Sequence, residues 1–205
     1  MRPTLSRRRL LRLGSAGLAG GLLVAGVGDL AVAKPPPGKD SGLAAQMRQA
    51  AHEYGVPVAL LMAMGYVNTR LEMPPVTPYR EGDPEARGVH GVMALVRNPT
   101  ADTVGTAARL TGIAPDRLVS DRFANLRGGA ALLAYSQGDA HPGRPHDWLP
   151  AVAGAGGHGP PVWASEGVGG GDLYAEQVGD ALDLGFSVRT RRGEHMRLPP
   201  HRAGA

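Results

Sequence analysis

Apolar residues recur along this chain with the three-and-four spacing of buried helix faces, and no strand-like alternation stands out. Leu43, Met47, Ala50, Ala51 and Tyr54 form one such stripe, because a side chain at every third or fourth position lands on one side of a helix. Asp40 or Ser41 stands where a cap would open that helix, and Gly55 where a left-handed residue would close it. Pro57 suits the first turn of a second helix, in which Leu60, Leu61, Met64 and Val67 repeat the spacing. Asn68 falls on the side of Leu61 and Met64 in the last turn, so it is expected to face the interior or a cleft. From Leu71 to Arg97 the period disappears. Pro74, Pro75, Pro78 and Pro84, with mixed charges, predict a long loop there, and long loops in compact domains are often functional. Helical patterning returns over residues 101–110, and a turn is expected at Pro115–Leu118. A helix is expected over 121–137, with Phe123, Leu126, Ala130, Leu133 and Ala134 on one face. Gly128 and Gly129 inside it cost about 1 kcal/mol each relative to Ala, which implies close approach of another backbone. Residues 137–146 read as a polar loop and Trp148–Ala153 as a short helix interrupted by Pro150. A Gly-rich connection follows, then a last amphipathic helix over 172–184 with Leu173, Val178, Ala181 and Leu182. The pattern predicts an all-α domain over residues 41–186.

Aromatic residues make up only 4% of the chain, so the core must be built from Leu, Val, Ala and Met. Cysteine is absent, which removes disulfides, thiol catalysis and thiolate metal sites together. Residues 1–33 read as a targeting segment. Ser6-Arg7-Arg8-Arg9-Leu10-Leu11 fits the twin-arginine export pattern, a Gly-rich apolar stretch follows, and Ala31-Val32-Ala33 supplies the small residues of a cleavage site. The stretch is a poor bilayer span, which needs ~20 apolar residues. The expected location is secreted or cell-wall, with membrane contact only during export. Residues 34–40 (KPPPGKD) form a Pro-rich linker.

The leader changes what the charge means. Five of the 22 basic residues and one of the 18 acidic ones lie in it, so residues 34–205 are neutral overall. Arginine is abundant as a matter of composition, and a nucleic-acid partner is not expected. Residues 187–205 hold Arg189, Arg191, Arg192, Arg197 and Arg202 against Glu194. They read as a flexible basic tail, able to touch anionic wall polymers.

The motifs carry a more specific reading. Gly55-Val56-Pro57 leads through an apolar helix to Asn68-Thr69-Arg70, and Gly88-Val89-His90-Gly91-Val92-Met93-Ala94-Leu95 follows. Later come Asn125-Leu126-Arg127-Gly128-Gly129-Ala130-Ala131-Leu132-Leu133-Ala134-Tyr135, Ala107-Ala108-Arg109-Leu110-Thr111-Gly112 and Gly193-Glu194-His195-Met196-Arg197-Leu198. In this order the chain resembles the lysozyme-like transglycosylase domain that precedes the amidase domain in exported N-acetylmuramoyl-L-alanine amidases. The resemblance implies a lysozyme-like helical fold and peptidoglycan glycan strands as partner. It places Tyr66, Thr69, Gly91, Met93, Asn125 and Tyr135 along a sugar cleft. It also implies a general acid, a Glu, where this chain has Asn68. An amide does not give up a proton near neutral pH, so the chemistry of the position is removed while its shape is nearly kept.

Other departures point the same way. Where the family carries a cleft Tyr, this chain reads Ala155-Gly156-Gly157, and it stops where an amidase domain would begin, so residues 187–205 read as a truncated connector. Glu72, four residues beyond Asn68, is the first candidate for a relocated acid, and Glu81, Asp83 and Glu85 follow in the loop. No cofactor and no metal is expected: His141, His146, His158, His195 and His201 lack the spacing of a ligand set and read as surface residues. One of Trp148 and Trp163 is expected in the core. The leading expectation is an exported cell-wall protein with a degenerate lysozyme-like domain that binds glycan or is the remnant of a bifunctional amidase. The alternatives are a working transglycosylase or muramidase with a displaced acid, and an exported structural or interaction protein.

Overall fold

In the computed structural model, which describes residues 42–154 and 170–202, helix α1 (Leu43–Tyr54) buries Leu43, Met47, Ala50 and Ala51, with Gln46 beside them. Gly55 closes it at φ 65°, its amide turned back onto the Ala51 carbonyl. Asp40 and Ser41, the expected caps, lie outside the described residues, as do the leader, the linker, Ala155, His158 and Trp163. The first helical amide, that of Leu43, donates to the carboxylate of Glu194, 151 residues away, at 2.7 Å.

Helix α2 (Val58–Thr69) is buried on most sides through Ala59, Leu60, Leu61, Ala63, Met64 and Gly65. It ends in an uncommon way. Arg70 and Leu71 both have positive φ, 56° and 68°, a conformation that costs non-glycine residues roughly 1–2 kcal/mol. Their amides bond back to the carbonyls of Tyr66 and Gly65, and the Leu71 side chain sinks into the core at 1% exposure. Burial of a leucine side chain, worth about 1.5–3 kcal/mol, offsets the strain.

The segment expected as an uninterrupted loop contains a small sheet. Strands β1 (Val89–His90), β2 (Leu95–Asn98) and β3 (Ala101–Asp102) pair antiparallel in the order β1-β2-β3. Val89 lies opposite Val96 and Arg97 opposite Asp102. Two-residue strands are too short to show alternation, which is why periodicity passed over them. The domain is predominantly helical with small sheets, and not purely helical.

Helix α3 (Thr103–Thr111) is capped by the Asp102 carboxylate, which accepts from the Gly105 amide, and α4 (Pro115–Ser120) replaces the expected turn. Helix α5 (Arg122–Gln137) is capped by Asp121 and packs against α1, α3 and α4. The two glycines admit side chains and not a backbone. A Cβ on Gly128 would meet Leu118 and Leu95, and one on Gly129 would lie 2.5 Å from Cγ of Met93. A 3-10 turn (Pro145–Trp148) leads into α6 (Leu149–Ala153), where Pro150 occupies the first turn and needs no amide bond. Trp148 is fully buried and donates its indole N–H to the Pro142 carbonyl at 2.8 Å.

Helix α7 (Gly170–Leu184) packs against α2 and α6. Its buried face holds Ala175, Val178, Ala181 and Leu182, but Leu173, expected on that face, is 57% exposed. The stretch expected as a flexible tail begins as a hairpin. Strands β4 (Phe186–Arg189) and β5 (His195–Leu198) pair antiparallel, Phe186 opposite Leu198. Met196 and Leu198 join the core while His195 and Arg197 face out. A single four-residue alternation among five arginines reads as a charged tail until its apolar face meets the helices.

Candidate functional site

The last turn of α2 brings Tyr66, Asn68 and Thr69 to the edge of the core, and each is half-buried. Thr69 is the link to the sheet. Its hydroxyl lies 3.3 Å from the Gly65 carbonyl and 3.3 Å from that of Val92, in the turn between β1 and β2.

That turn is held from the other side by Asn125 of α5, which is completely buried. Its side-chain oxygen accepts from the Met93 amide at 2.8 Å, and its Nδ2 donates to the carbonyls of His90 at 3.1 Å and Leu118 at 2.9 Å. Both donors and one acceptor site of the amide are therefore satisfied by backbone. Gly91 runs across it at φ 71°, where a Cβ would stand 2.2 Å from the Asn125 nitrogen, so no larger residue fits without moving the clamp. Met93 is fully buried and packs on Gly129. Thr69, Gly91, Met93 and Asn125 thus form one connected unit that ties the end of α2 to the β1–β2 turn and to α5. Burial, with help from the nearby Arg97 charge, pushes the His90 imidazole below its ordinary pKa.

The remaining positions lie apart from this unit. The Tyr66 ring stacks on Phe186 of β4, centroids 4.1 Å apart at 8°, and the Arg70 guanidinium sits 4.3 Å from its centroid. Its faces serve the packing of the C-terminal hairpin. Tyr135 is ten residues beyond Asn125 on α5, about 15 Å along the axis, and is 43% exposed. Glu72 does not continue α2 by one turn, because the left-handed pair Arg70–Leu71 redirects the chain. Its carboxylate accepts the Arg191 amide at 2.7 Å, at the tip of the hairpin. The long loop after α2 folds around an open hollow of about 420 Å³, lined by Tyr79, Arg87, Val89 and Asn98 among others.

The residue the sequence reading passed over is Tyr174 of α7. It packs against the core, its hydroxyl is buried, and burial pushes its pKa far above the ordinary phenol value while the Asn68 amide draws it partway back. The two groups face each other. Among the described residues, neither the Asn68 Nδ2 nor the Tyr174 hydroxyl has a hydrogen-bond partner besides this loose contact with the other. The signal was present, because Tyr174 lies one turn before Val178 on the buried face, and a buried tyrosine normally finds a partner for its hydroxyl.

Of the histidines, His146 meets Asp183 at 3.1 Å, His195 meets Ser187 at 2.9 Å, and His141 sits edge-on to Trp148. Among the described residues no three His, Asp or Glu side chains gather as a metal site, and no helix is long and apolar enough to cross a membrane. Comparison of the chain with protein-family models, with curated proteins and with solved structures found no match.

Proposed function

We propose that this chain is an exported cell-wall protein whose lysozyme-like helical domain binds peptidoglycan glycan strands without cleaving them. One observation carries the reading: Asn68, at the last turn of a buried helix next to Thr69, which reaches the β1–β2 turn, presents a buried amide nitrogen whose one contact group among the described residues is the Tyr174 hydroxyl. Buried polar groups are almost always fully paired, so a poorly satisfied donor at the position of the missing acid supports a ligand-facing site. Glycoside cleavage needs a carboxylic acid poised to protonate the leaving oxygen, and the amide does not supply that proton. Glu72 is no substitute, since its carboxylate is engaged with the hairpin backbone. The twin-arginine-type leader supports delivery to the wall, and the hairpin arginines face solvent as contacts for anionic wall polymers.

The test is sedimentation of the full chain with purified peptidoglycan sacculi, with the supernatant assayed for reducing ends and anhydromuropeptides. Co-sedimentation with no released product is the expected result. Failure to co-sediment overturns the binding reading. Turnover abolished by Glu72→Gln or Glu81→Gln overturns the inactive one.

A further inference from the structure

Strands β4 and β5 give Phe186, Val188, Met196 and Leu198 to the core and turn the alternate side chains outward. Ser187, Arg189, His195 and Arg197 are all exposed, and the register sets Ser187 beside Arg197 and Arg189 beside His195. Arg189 and Arg197 are therefore diagonal neighbours on one face, roughly 7 Å apart at their Cβ atoms. Ser187 Oγ and His195 Nε2 lie 2.9 Å from each other, which leaves the two guanidiniums as the donors that the face offers. The ion pairs of the described residues involve neither of them.

The tip of the hairpin differs. Arg191 and Arg192 share a small cavity with Glu72 and Glu194, and Glu72 accepts the Arg191 amide. Their charge is partly answered within the protein, while that of the face is not. The rest of the chain sharpens the contrast: residues 34–186 hold 12 basic and 16 acidic side chains, whereas residues 187–205 hold five Arg and one Glu. A polyanion is thus repelled elsewhere and drawn to this end.

Two arginines on an open, wet surface do not retain a single ion, because the attraction is weak in water and screened by salt. A linear polymer repeats its charges, so each contact after the first forms at high effective concentration. Among polyanions a phosphodiester chain suits the pair best. Its groups stay ionised at every working pH, and their tetrahedral oxygens accept guanidinium forks arriving from two sides, while a planar carboxylate offers one edge to one fork. The face carries no apolar side chain to enter a bilayer and no Phe, Tyr or Trp to stack on bases.

We propose that the outward face of β4–β5, through Arg189 and Arg197, is a docking surface for a linear phosphodiester polymer of the cell wall. The inference rests on the cell-wall reading above and deepens it, since polymer and glycan are taken by separate groups of side chains.

The experiment is binding of the full chain to fluorescently labelled poly(glycerol phosphate), read by anisotropy, with polygalacturonate of matched charge and phosphatidylglycerol vesicles as competitors. The leader arginines are common to all variants and cancel in the comparison. Arg189→Ala combined with Arg197→Ala should weaken binding about 5- to 10-fold at unchanged melting temperature, since exposed ion pairs are individually weak and add on one ligand. Arg189→Lys combined with Arg197→Lys keeps the charge and should recover only part of that loss. Arg191→Ala combined with Arg192→Ala should cost about 2-fold or less. Face and tip variants of equal effect, full recovery by Lys, or equal competition by polygalacturonate or vesicles overturns this inference. Binding to sacculi stripped of their polymer by hydrofluoric acid, without affinity for poly(glycerol phosphate), also overturns it and leaves the glycan reading standing. Affinity for the polymer without binding to stripped sacculi does the reverse.

Discussion

Arg122 and Glu194 are joined fork to fork across 72 residues of chain, Nη1 to Oε2 at 2.6 Å and Nη2 to Oε1 at 3.1 Å. The same carboxylate caps α1 through the Leu43 amide, and Arg122 also reaches Gln46 of α1 through Nε at 2.7 Å. One ion pair thus fastens the C-terminal hairpin to α1 and to the start of α5. The side chains are 13% and 22% exposed, so the pair is sheltered enough to count, unlike most surface pairs.

Replacing Glu194 should therefore loosen three elements together. Glu194→Gln keeps an oxygen for the Leu43 amide but removes the charge facing Arg122, and should cost about 1–3 kcal/mol in denaturant unfolding. Burial works to raise the carboxyl's pKa, but the Arg122 hydrogen bonds, the Leu43 amide and the charges of Arg122 and Arg192 outweigh it, leaving the value below the ordinary 4.5. A depressed carboxyl contributes its stability in full above the unfolded value and loses it as pH falls through the folded one. Melting temperature should then drop from pH 5 downward in the wild type and drop less in Glu194→Gln. Parallel curves for the two proteins would refute the staple.

Asn125 carries no catalytic expectation and a large structural one. Asn125→Ala strips the Met93 amide and the His90 and Leu118 carbonyls of their partner in a buried setting, a loss of about 3 kcal/mol or more. Asn125→Asp should be nearly as damaging, since a carboxylate would point at two carbonyl oxygens. Chemical denaturation checks both. A cost under about 1 kcal/mol for either would mean that the β1–β2 turn is held by something else.

Installing an acid at Asn68 tests the proposed function directly. Asn68→Glu adds a methylene and a carboxyl at a half-buried helix end, where desolvation and the negative end of the helix dipole both favour the protonated form. The expected outcome is a folded protein with weak release of wall fragments. That release should decline as pH rises through the raised pKa, because the protonated acid is the active form. On the proposed function activity should stay low, since the resemblance puts a cleft Tyr where this chain has Ala155, a residue outside the described ones. A folded, wall-binding variant that cleaves nothing at any pH would place the defect beyond Asn68.

Export is testable without any structural knowledge. Replacing Arg7, Arg8 and Arg9 together by Lys keeps the charge but removes the guanidinium pair that the twin-arginine receptor reads. The precursor should accumulate inside the cell, as measured by fractionation and immunoblotting. Normal secretion of the triple variant would reject this route.

The helices of this protein were legible because their causes are local. The stripe Leu43–Met47–Ala50 and the Gly55 stop act within a turn or two of chain, and the sequence reports them directly, whereas Asp121, read as the first helical residue, proved to be the cap of α5. The identity of Asn68 was equally plain, since an amide lacks an acidic proton in any fold. Tertiary structure alone decided the rest, because each remaining feature joins residues far apart in sequence. The cap of α1 comes from Glu194, the lock of the β1–β2 turn from Asn125, and the counterpart of Asn68 from Tyr174, with 151, 32 and 106 positions between the partners. The hairpin follows the same rule. Its four-residue strands carry too little pattern to be read alone, and its arginines suggested a solvated tail until Met196 and Leu198 met the core. Hydrophobic burial and long-range hydrogen bonds depend on where the chain returns to itself, which no window of sequence contains.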